Sequence, residues 1–428
     1  MTEDFLHYLW QNRLFTKPIT TIRGEDIQVL NTGYHNFNAG PDFSDARLRI
    51  DNTLWAGNVE IHVNSSDWFK HGHDHDEAYQ NVVLHVVFNH DAKNKFPRMP
   101  ICELANMIDL NLFEAYKQFI TSKRFVPCIN MIRDVPESEL VLWLERMLIE
   151  KLEHRADFIQ DALNGSTDDW EDALYQIIAR SFGFSINALP FEMLARSLPF
   201  RILAHHADNP MQVEALIFGQ AGMLTQDLVD PWGQALFNEY CFLRKKYQLV
   251  PIPASLWRFL RLRPVNFPTI RLSQFAAFIC KNAGLLARVL SMDTIDEMME
   301  IFKVKASAYW DDHYVFDKES TGEEKHTGVS AIQLVIMNAI LPFRFVYGTF
   351  MSNDTLCNKT LSLFEKLPGE KNFVIREWQT AGLDVSTAYH TQALMELKTS
   401  YCDKRKCLSC RIGNILIKNP AFTEHEFL

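Results

Sequence analysis

A chain of 428 residues is too long for one ordinary core and fits two or three domains. Hydrophobic residues at 47% and charged residues at 22% exclude disorder for most of it, and a formal net charge of −10 excludes a general nucleic-acid coat. Eight cysteines in this length exclude a disulfide scaffold.

Met1 to Arg13 carries Glu3, Asp4, His7 and Arg13, which is neither a basic n-region nor an apolar h-region. No run of about 18 uncharged apolar residues occurs. The protein expected from these features is cytoplasmic and makes no use of a membrane. The first ~110 residues hold eight of the 15 histidines and, with 15 acids against nine Lys/Arg, a net charge of −6. They therefore form a chemically distinct region.

Phe5, Leu6, Leu9 and Trp10 make an apolar stripe at helical spacing. Ile27, Val29 and Leu30 lie in a short β-like run. Ala46, Leu48 and Ile50 alternate with Arg47, Arg49 and Asp51, the period of a half-buried strand. Asp51-Asn52 predicts a hairpin turn into a strand over Leu54–Val63. Ser66 or Asp67 predicts the cap of a helix through Tyr79. Val82 to Phe88 is a β-branched run typical of a strand covered on both faces, and Pro100 to Leu104 predicts an edge strand.

From about Leu110 the pattern turns helical. Leu140, Leu144, Met147, Leu148 and Leu152 fall at spacings of three and four behind Pro136. Asp169–Phe182, Glu192–His205, Met211–Leu224, Gln234–Tyr247 and Ser273–Leu290 predict further helices, and Ser320–Thr327 a polar loop. The fold class expected is α+β. Residues 1–108 form a mixed sheet flanked by helices, and residues 109–428 a large, mainly α-helical region ending in a cysteine-rich tail.

Chemistry concentrates first at Gly40-Pro41-Asp42-Phe43 and Glu60-Ile61-His62. Asp42 stands where one strand begins and Glu60 lies in the next strand of the same hairpin. Two close carboxylates are unfavourable unless a cation joins them, and Mg²⁺ or Mn²⁺ accepts such a pair. His62 shares the face of Glu60, because strand residues two apart do so. Next comes Asp67 to Tyr79. On a helix, His71 and His75 share a face as zinc-binding pairs do, while His73 points elsewhere unless the segment is extended. Asp67, Asp76 and His85 are candidates for a third zinc ligand.

Cys402, Cys407 and Cys410 form C-x4-C-x2-C. Soft thiolates suit Zn²⁺ or a 4Fe–4S cluster, and each wants four ligands. Cys128, held beside Pro127 in a loop, is the first candidate for the fourth, with Cys357 and His390 as alternatives. Residues 237–275 carry seven Lys/Arg against one acid. Arg258, Arg261 and Arg263 among them are candidate phosphate contacts if nucleic acid is a partner. The alternative is a solvated helix face or salt bridges to the acidic N-terminal domain.

Pro41-Asp42, Glu60-Ile61-His62 and the order helix, strand, hairpin, helix, strand resemble the PD-(D/E)XK nuclease superfamily over residues 1–108. The resemblance implies a restriction-endonuclease-like fold. Asp42 and Glu60 would hold Mg²⁺, with Glu3 as an accessory ligand. The metal would activate water for phosphodiester cleavage, and His71, Asp76 or Tyr79 would touch phosphate. His62 stands where that superfamily has lysine; a neutral imidazole can still take a proton near pH 7.

Gly57-Asn58-Val59-Glu60-Ile61-His62, Ser66-Asp67-Trp68, His71-Gly72-His73, Phe218-Gly219-Gln220-Ala221-Gly222 and Arg263-Pro264-Val265-Asn266-Phe267-Pro268 resemble the bacterial domain-of-unknown-function 2851 family. So does Tyr401-Cys402 to Gly413. The function expected is metal-dependent, nuclease-like hydrolysis of DNA or RNA, with Asp42, Glu60 and His62 catalytic. One alternative is a non-catalytic binding or scaffold protein with a degenerate nuclease core and a structural cysteine–metal clip. The other is a zinc hydrolase built on the histidine-rich segment.

Overall fold

The computed structural model describes residues 1–92, 98–165, 169–282 and 284–418. The chain divides into two units, Met1–Trp143 with Lys398–Leu428, and Leu144–Leu397. It is an α+β protein, with a mixed sheet in unit 1 and helices throughout.

Unit 1 opens with helix α1 (Glu3–Asn12), whose Phe5 N–H is accepted by the Thr2 side chain. Arg13, in the left-handed region, ends it. The expected stripe of Phe5, Leu6, Leu9 and Trp10 is buried, and the helix packs on the sheet. The Trp10 indole donates to Thr32 O at 3.0 Å, which fixes the angle of approach.

The sheet is built from β1 (Ile19–Thr20), β2 (Asp26–Asn31), β3 (Tyr34–His35), β4 (Phe43–Ile50), β5 (Thr53–Asn64), β6 (Val82–Asn89) and β7 (Ile101–Glu103). Its spatial order is β1-β2-β4-β5-β6-β7, with β3 on the start of β4. Pairing is antiparallel as far as β5; β5–β6 and β6–β7 are parallel. The alternation in β4 matches its burial: Ala46, Leu48 and Ile50 face the core, and Arg47 and Arg49 do not. Ile50 pairs with Thr53 across Asp51-Asn52, the expected hairpin turn. In β6 every residue from Val82 to Val87 is buried, as a parallel strand between covered faces requires.

Parallel pairing of β5 with β6 needs a crossover, and here it is short. The sequence predicts one helix through Tyr79. The structure instead has a single turn, α2 (Asp67–Lys70), and a separate 3₁₀ turn over Glu77–Tyr79. Gly72 at φ +76° terminates α2: its N–H reaches Phe69 O and the His73 N–H reaches Trp68 O, a paired C-terminal closure that favours glycine. The Asp76 side chain then caps the 3₁₀ turn by accepting from Ala78 N–H at 2.9 Å. The crossover therefore turns back on itself beside the end of β5.

Among its described residues unit 2 is mainly helical and carries a two-stranded ribbon, His313–Val315 with Lys318–Glu319. The helix predicted around Leu140–Leu152 is part of Glu137–Gly165, whose residues to Trp143 belong to unit 1, and Asp169 caps Trp170–Phe182 through the N–H groups of Glu171 and Asp172. Two predicted helices are each split. Glu192–His205 becomes Ala188–Ser197 and Phe200–His205, because Pro199 cannot continue the first. Ser273–Leu290 becomes Pro268–Lys281 and Leu285–Ser291.

The run Phe218-Gly219-Gln220-Ala221-Gly222 ends the helix Pro210–Gln220 inside the unit 2 core. Phe218 stacks on Trp310, with ring centroids 5.2 Å apart. Gln220 is fully buried; it donates to Ser197 O at 3.2 Å and Val250 O at 2.5 Å and accepts from Tyr240 O–H at 3.0 Å. Ala221 O accepts from the Trp257 indole at 2.9 Å. Earlier on the same helix, buried Glu214 accepts from Trp310 N–H and Ser307 O–H, and burial holds its carboxyl above the ordinary range.

By length and composition, Val329–Phe350 is apolar enough to cross a membrane, with mean hydropathy 1.7. In the structure 56% of that window is buried, and Arg344 lies inside it, wholly buried, donating to the Val289 and Leu290 carbonyls. Those are last-turn carbonyls of Leu285–Ser291, so Arg344 caps a helix end that would otherwise lack partners.

Candidate metal centre

Two strands bring the carboxylates together. Phe43 pairs with Val59 across β4 and β5, which sets Asp42 beside Glu60. The two are locked reciprocally through the backbone. Asp42 N–H donates to Glu60 Oε2 at 3.1 Å, and Ile61 N–H donates to Asp42 Oδ2 at 2.9 Å. The ladder is irregular between Phe43 and Ala46, a bulge of the kind that re-aims side chains at strand ends. Asp45 is exposed and takes no part.

Two imidazoles meet the second Glu60 oxygen, and a third meets one of them. His62 Nε2 is 3.4 Å and His73 Nε2 3.3 Å from Glu60 Oε1, and His62 Nε2 is 3.2 Å from His71 Nδ1. One ligand atom from each of His62, His71 and His73 lies within 4.8 Å of the others. Glu60 and His62 are 4% and 2% exposed, whereas His71 is exposed, so the group opens to solvent on one side. His75 lies outside it: its side chain is 87% exposed and pairs with Asp74. The early end of α2 is the reason. Beyond Gly72 the chain no longer follows helical spacing, so His73 takes the place that i,i+4 geometry gives to His75.

The surroundings favour a cation. Burial, and then the neighbouring Asp42, pushes the Glu60 carboxyl up to about 8. Burial, and then His73 and His71, holds the His62 imidazole down to about 4. A metal ion would relieve this crowding of acids and imidazoles. For Asp42, burial opposes ionisation, but His7, with Nε2 at 3.2 Å, and the Ile61 N–H outweigh it and keep the carboxylate below its ordinary range. Glu3 on α1 is shifted up by burial and by Asp42. Tyr79 stacks on His73 with centroids 3.8 Å apart, and burial pushes its phenol up to about 12.

His85, fully buried in β6, places Nε2 2.9 Å from His62 Nδ1. When His85 Nε2 is the acceptor, His62 carries its proton on Nδ1 and presents Nε2 to a metal ion. His85→Phe is expected to keep the fold and weaken metal binding about 10–100-fold in calorimetry; unchanged affinity would refute this orienting role.

The family model described as "Protein of unknown function (DUF2851)" matches residues 3–373. The chain belongs to this family. No curated protein and no solved structure matches it. In this DUF2851 chain the matched span contains the whole carboxylate–imidazole group and Cys128, and it ends before Cys402.

The remaining sequence-predicted residues fall in several places. Asp76 is exposed and used as a cap. In unit 2, Arg258, Arg261 and Arg263 are exposed in the turn between two 3₁₀ segments, with the Arg258 backbone paired to the Asn187 side chain. They sit on a loop rather than on a helix face. In unit 1, Cys128, Cys402, Cys407 and Cys410 together line one small cavity. Of the basic residues around the tail, Arg405 donates to Ser122 O and Cys402 O, and Arg411 pairs with Glu139. Sequence reasoning missed His7 and His73 at the carboxylates. His7 shares the apolar-striped helix one turn beyond Glu3, and His73 follows a glycine, the usual residue at a helix C-terminus.

Proposed function

We propose that unit 1 is a metal-dependent phosphodiester hydrolase acting on nucleic acid. The observation that carries it is the meeting of Asp42, Glu60, His62, His71 and His73 at one solvent-accessible place. The order α1, β2, the β4–β5 hairpin, α2 and β6, with the acids at the hairpin, supports the nuclease resemblance.

Three imidazoles with one carboxylate are a donor set for a zinc- or manganese-class ion rather than for Mg²⁺, which prefers oxygen. We therefore place the ion on Glu60, His62, His71 and His73, with Asp42 at its edge. Once bound, such an ion supplies Lewis acidity and lowers the pKa of a coordinated water. The protein's own groups do the rest. The backbone N–H of Ile61 fixes the Asp42 carboxylate, which with His7 forms a pair able to accept and pass on a proton. Tyr79, kept protonated, can donate to a phosphate oxygen. Arg258, Arg261 and Arg263, exposed in unit 2, are a separate candidate contact for a polyanion.

The test is cleavage of single- and double-stranded DNA and RNA by metal-stripped protein after return of Zn²⁺, Mn²⁺ or Mg²⁺. Turnover restored by at least one ion is expected, and no cleavage with any of them would sink the proposal. In the same preparations His71→Ala and His73→Ala are expected to lose more than ~100-fold in metal affinity, and His75→Ala none. Losses from His71→Ala and His75→Ala with none from His73→Ala would mean that the helix-spaced pair is the site.

A further inference from the structure

Cys128 and the C-terminal trio are separated by 274 residues or more in sequence, yet all four belong to unit 1 and line the same small cavity with Phe119, Pro127, Tyr401, Lys406 and Gly413. Cys402, Cys407 and Cys410 are buried and Cys128 is intermediate, and all four are free thiols. Chance does not gather half of a chain's eight cysteines around one cavity from two remote segments. A purely apolar packing role has no need of them, because leucine or valine fills space better than a thiol.

A second observation concerns the groups around the sulfurs. The Trp143 indole N–H is buried and points to the Cys410 sulfur. The backbone N–H groups of Ile412 and Gly413, in the first turn of the helix Arg411–Lys418, also point to the Cys410 sulfur. Donors converging on a sulfur suit a thiolate, which accepts strongly, and not a thiol, which accepts weakly. Arg405 and Lys406 add positive charge near the trio. Four thiolates gathered around one small cavity would need a cation among them.

We infer that Cys128, Cys402, Cys407 and Cys410 are the four ligands of a soft-metal centre, a single zinc ion or an iron–sulfur cluster, that ties the tail of the chain to the N-terminal segment of unit 1. On binding zinc, or on taking up an iron–sulfur cluster already assembled, each sulfur forms one bond to metal and loses one proton, so four protons leave per centre and the thiols themselves are not oxidised. The two segments joined are the ends between which residues 144–397 are inserted. The centre closes unit 1 around that insertion, as a zinc clip closes a small domain. The inference stands apart from the hydrolase proposal and shares no residue with it.

The experiment uses full-length protein purified without oxygen. To separate this centre from metal on the imidazoles, metal is counted in the His62→Ala/His71→Ala/His73→Ala variant. Either one zinc per chain, or iron with matching inorganic sulfide and broad visible absorption, is expected and tells the two fillings apart. Cys128→Ser in this background should lose at least ~80% of that metal although the three tail cysteines remain, while Cys357→Ser should keep it. Cys128→Ser could fail to fold, so wild-type protein provides a second measurement. Cobalt exchanged into it should show thiolate-to-metal charge-transfer absorption with the intensity of four sulfur ligands. Retention of metal by folded Cys128→Ser, or a metal-free histidine variant that keeps its fold and shows no cobalt–thiolate band, would overturn the inference.

Discussion

Asp42→Asn and Glu60→Gln are each expected to lower metal-dependent cleavage on the order of 10³-fold while leaving the sheet intact. Polarisation by a metal ion is worth several kcal/mol of transition-state stabilisation, and each ~1.4 kcal/mol is tenfold in rate. The two variants should fail differently. Glu60 sits among the imidazoles, with Oε1 3.3–3.4 Å from His73 and His62, so Glu60→Gln should lose metal as well as rate. Asp42 touches His7 and the Ile61 N–H and sits at the edge of the imidazole group, so Asp42→Asn should keep most of the metal and lose turnover. Calorimetry beside cleavage kinetics separates them. Wild-type rates in either purified variant would refute the assignment, and equal metal loss in both would mean that Asp42 is itself a principal ligand.

The two amides are near-isosteric, which makes the comparison clean, but they do not preserve every contact. Glu60 Oε2 accepts from Asp42 N–H, and an amide can still offer an oxygen there. Neither change opens a cavity. A large loss of stability in Glu60→Gln is therefore not expected; removing a buried carboxyl from a group that already strains to ionise should be close to neutral or mildly stabilising. Thermal denaturation of metal-stripped protein checks this.

Much of unit 1 was legible because strands leave a local record. The alternation of Ala46, Leu48 and Ile50 set the register of β4, and the unbroken Val82–Val87 run marked a strand with both faces covered. The pairing of Asp42 with Glu60 followed from one hairpin. The crossover was less legible. Helical spacing from Asp67 onward selected His71 with His75, but a glycine in the left-handed region outweighs a helical pattern only four residues long. The signal was present as His71-Gly72-His73; what it lacked was any local indication that the chain would fold back onto β5. Pro199 carried an equally local signal for the break in unit 2, and the spacing of apolar residues on either side concealed it. The convergence of the four cysteines rests on a contact between residue 128 and residues 402–410, for which sequence offers composition and no register.

Gly219→Ala is expected to destabilise unit 2 by about 3 kcal/mol, at the upper end of what overpacking a closed core costs. A Cβ at this position would lie 2.1 Å from Cγ of the Tyr240 ring, well inside van der Waals contact. The ring cannot swing aside freely. Tyr240 is buried, and its hydroxyl is held by Gln220 Oε1, itself anchored through Nε2 to the Ser197 and Val250 carbonyls. Relief by ring movement would break the Tyr240–Gln220 bond, and relief by helix movement would disturb Phe218 on Trp310. Urea denaturation followed by helical circular dichroism should show the shift, with Gly322→Ala, which meets nothing within 4 Å, within ~0.5 kcal/mol of wild type. Shortening the obstructing side chain gives the sharper test. If the clash is the cause, Tyr240→Leu added to Gly219→Ala should cost less than the two single changes summed, because the new methyl then has somewhere to go. Strict additivity, or a Gly219→Ala midpoint equal to wild type, would show that the Phe218–Gly222 run is kept for some reason other than close packing against Tyr240.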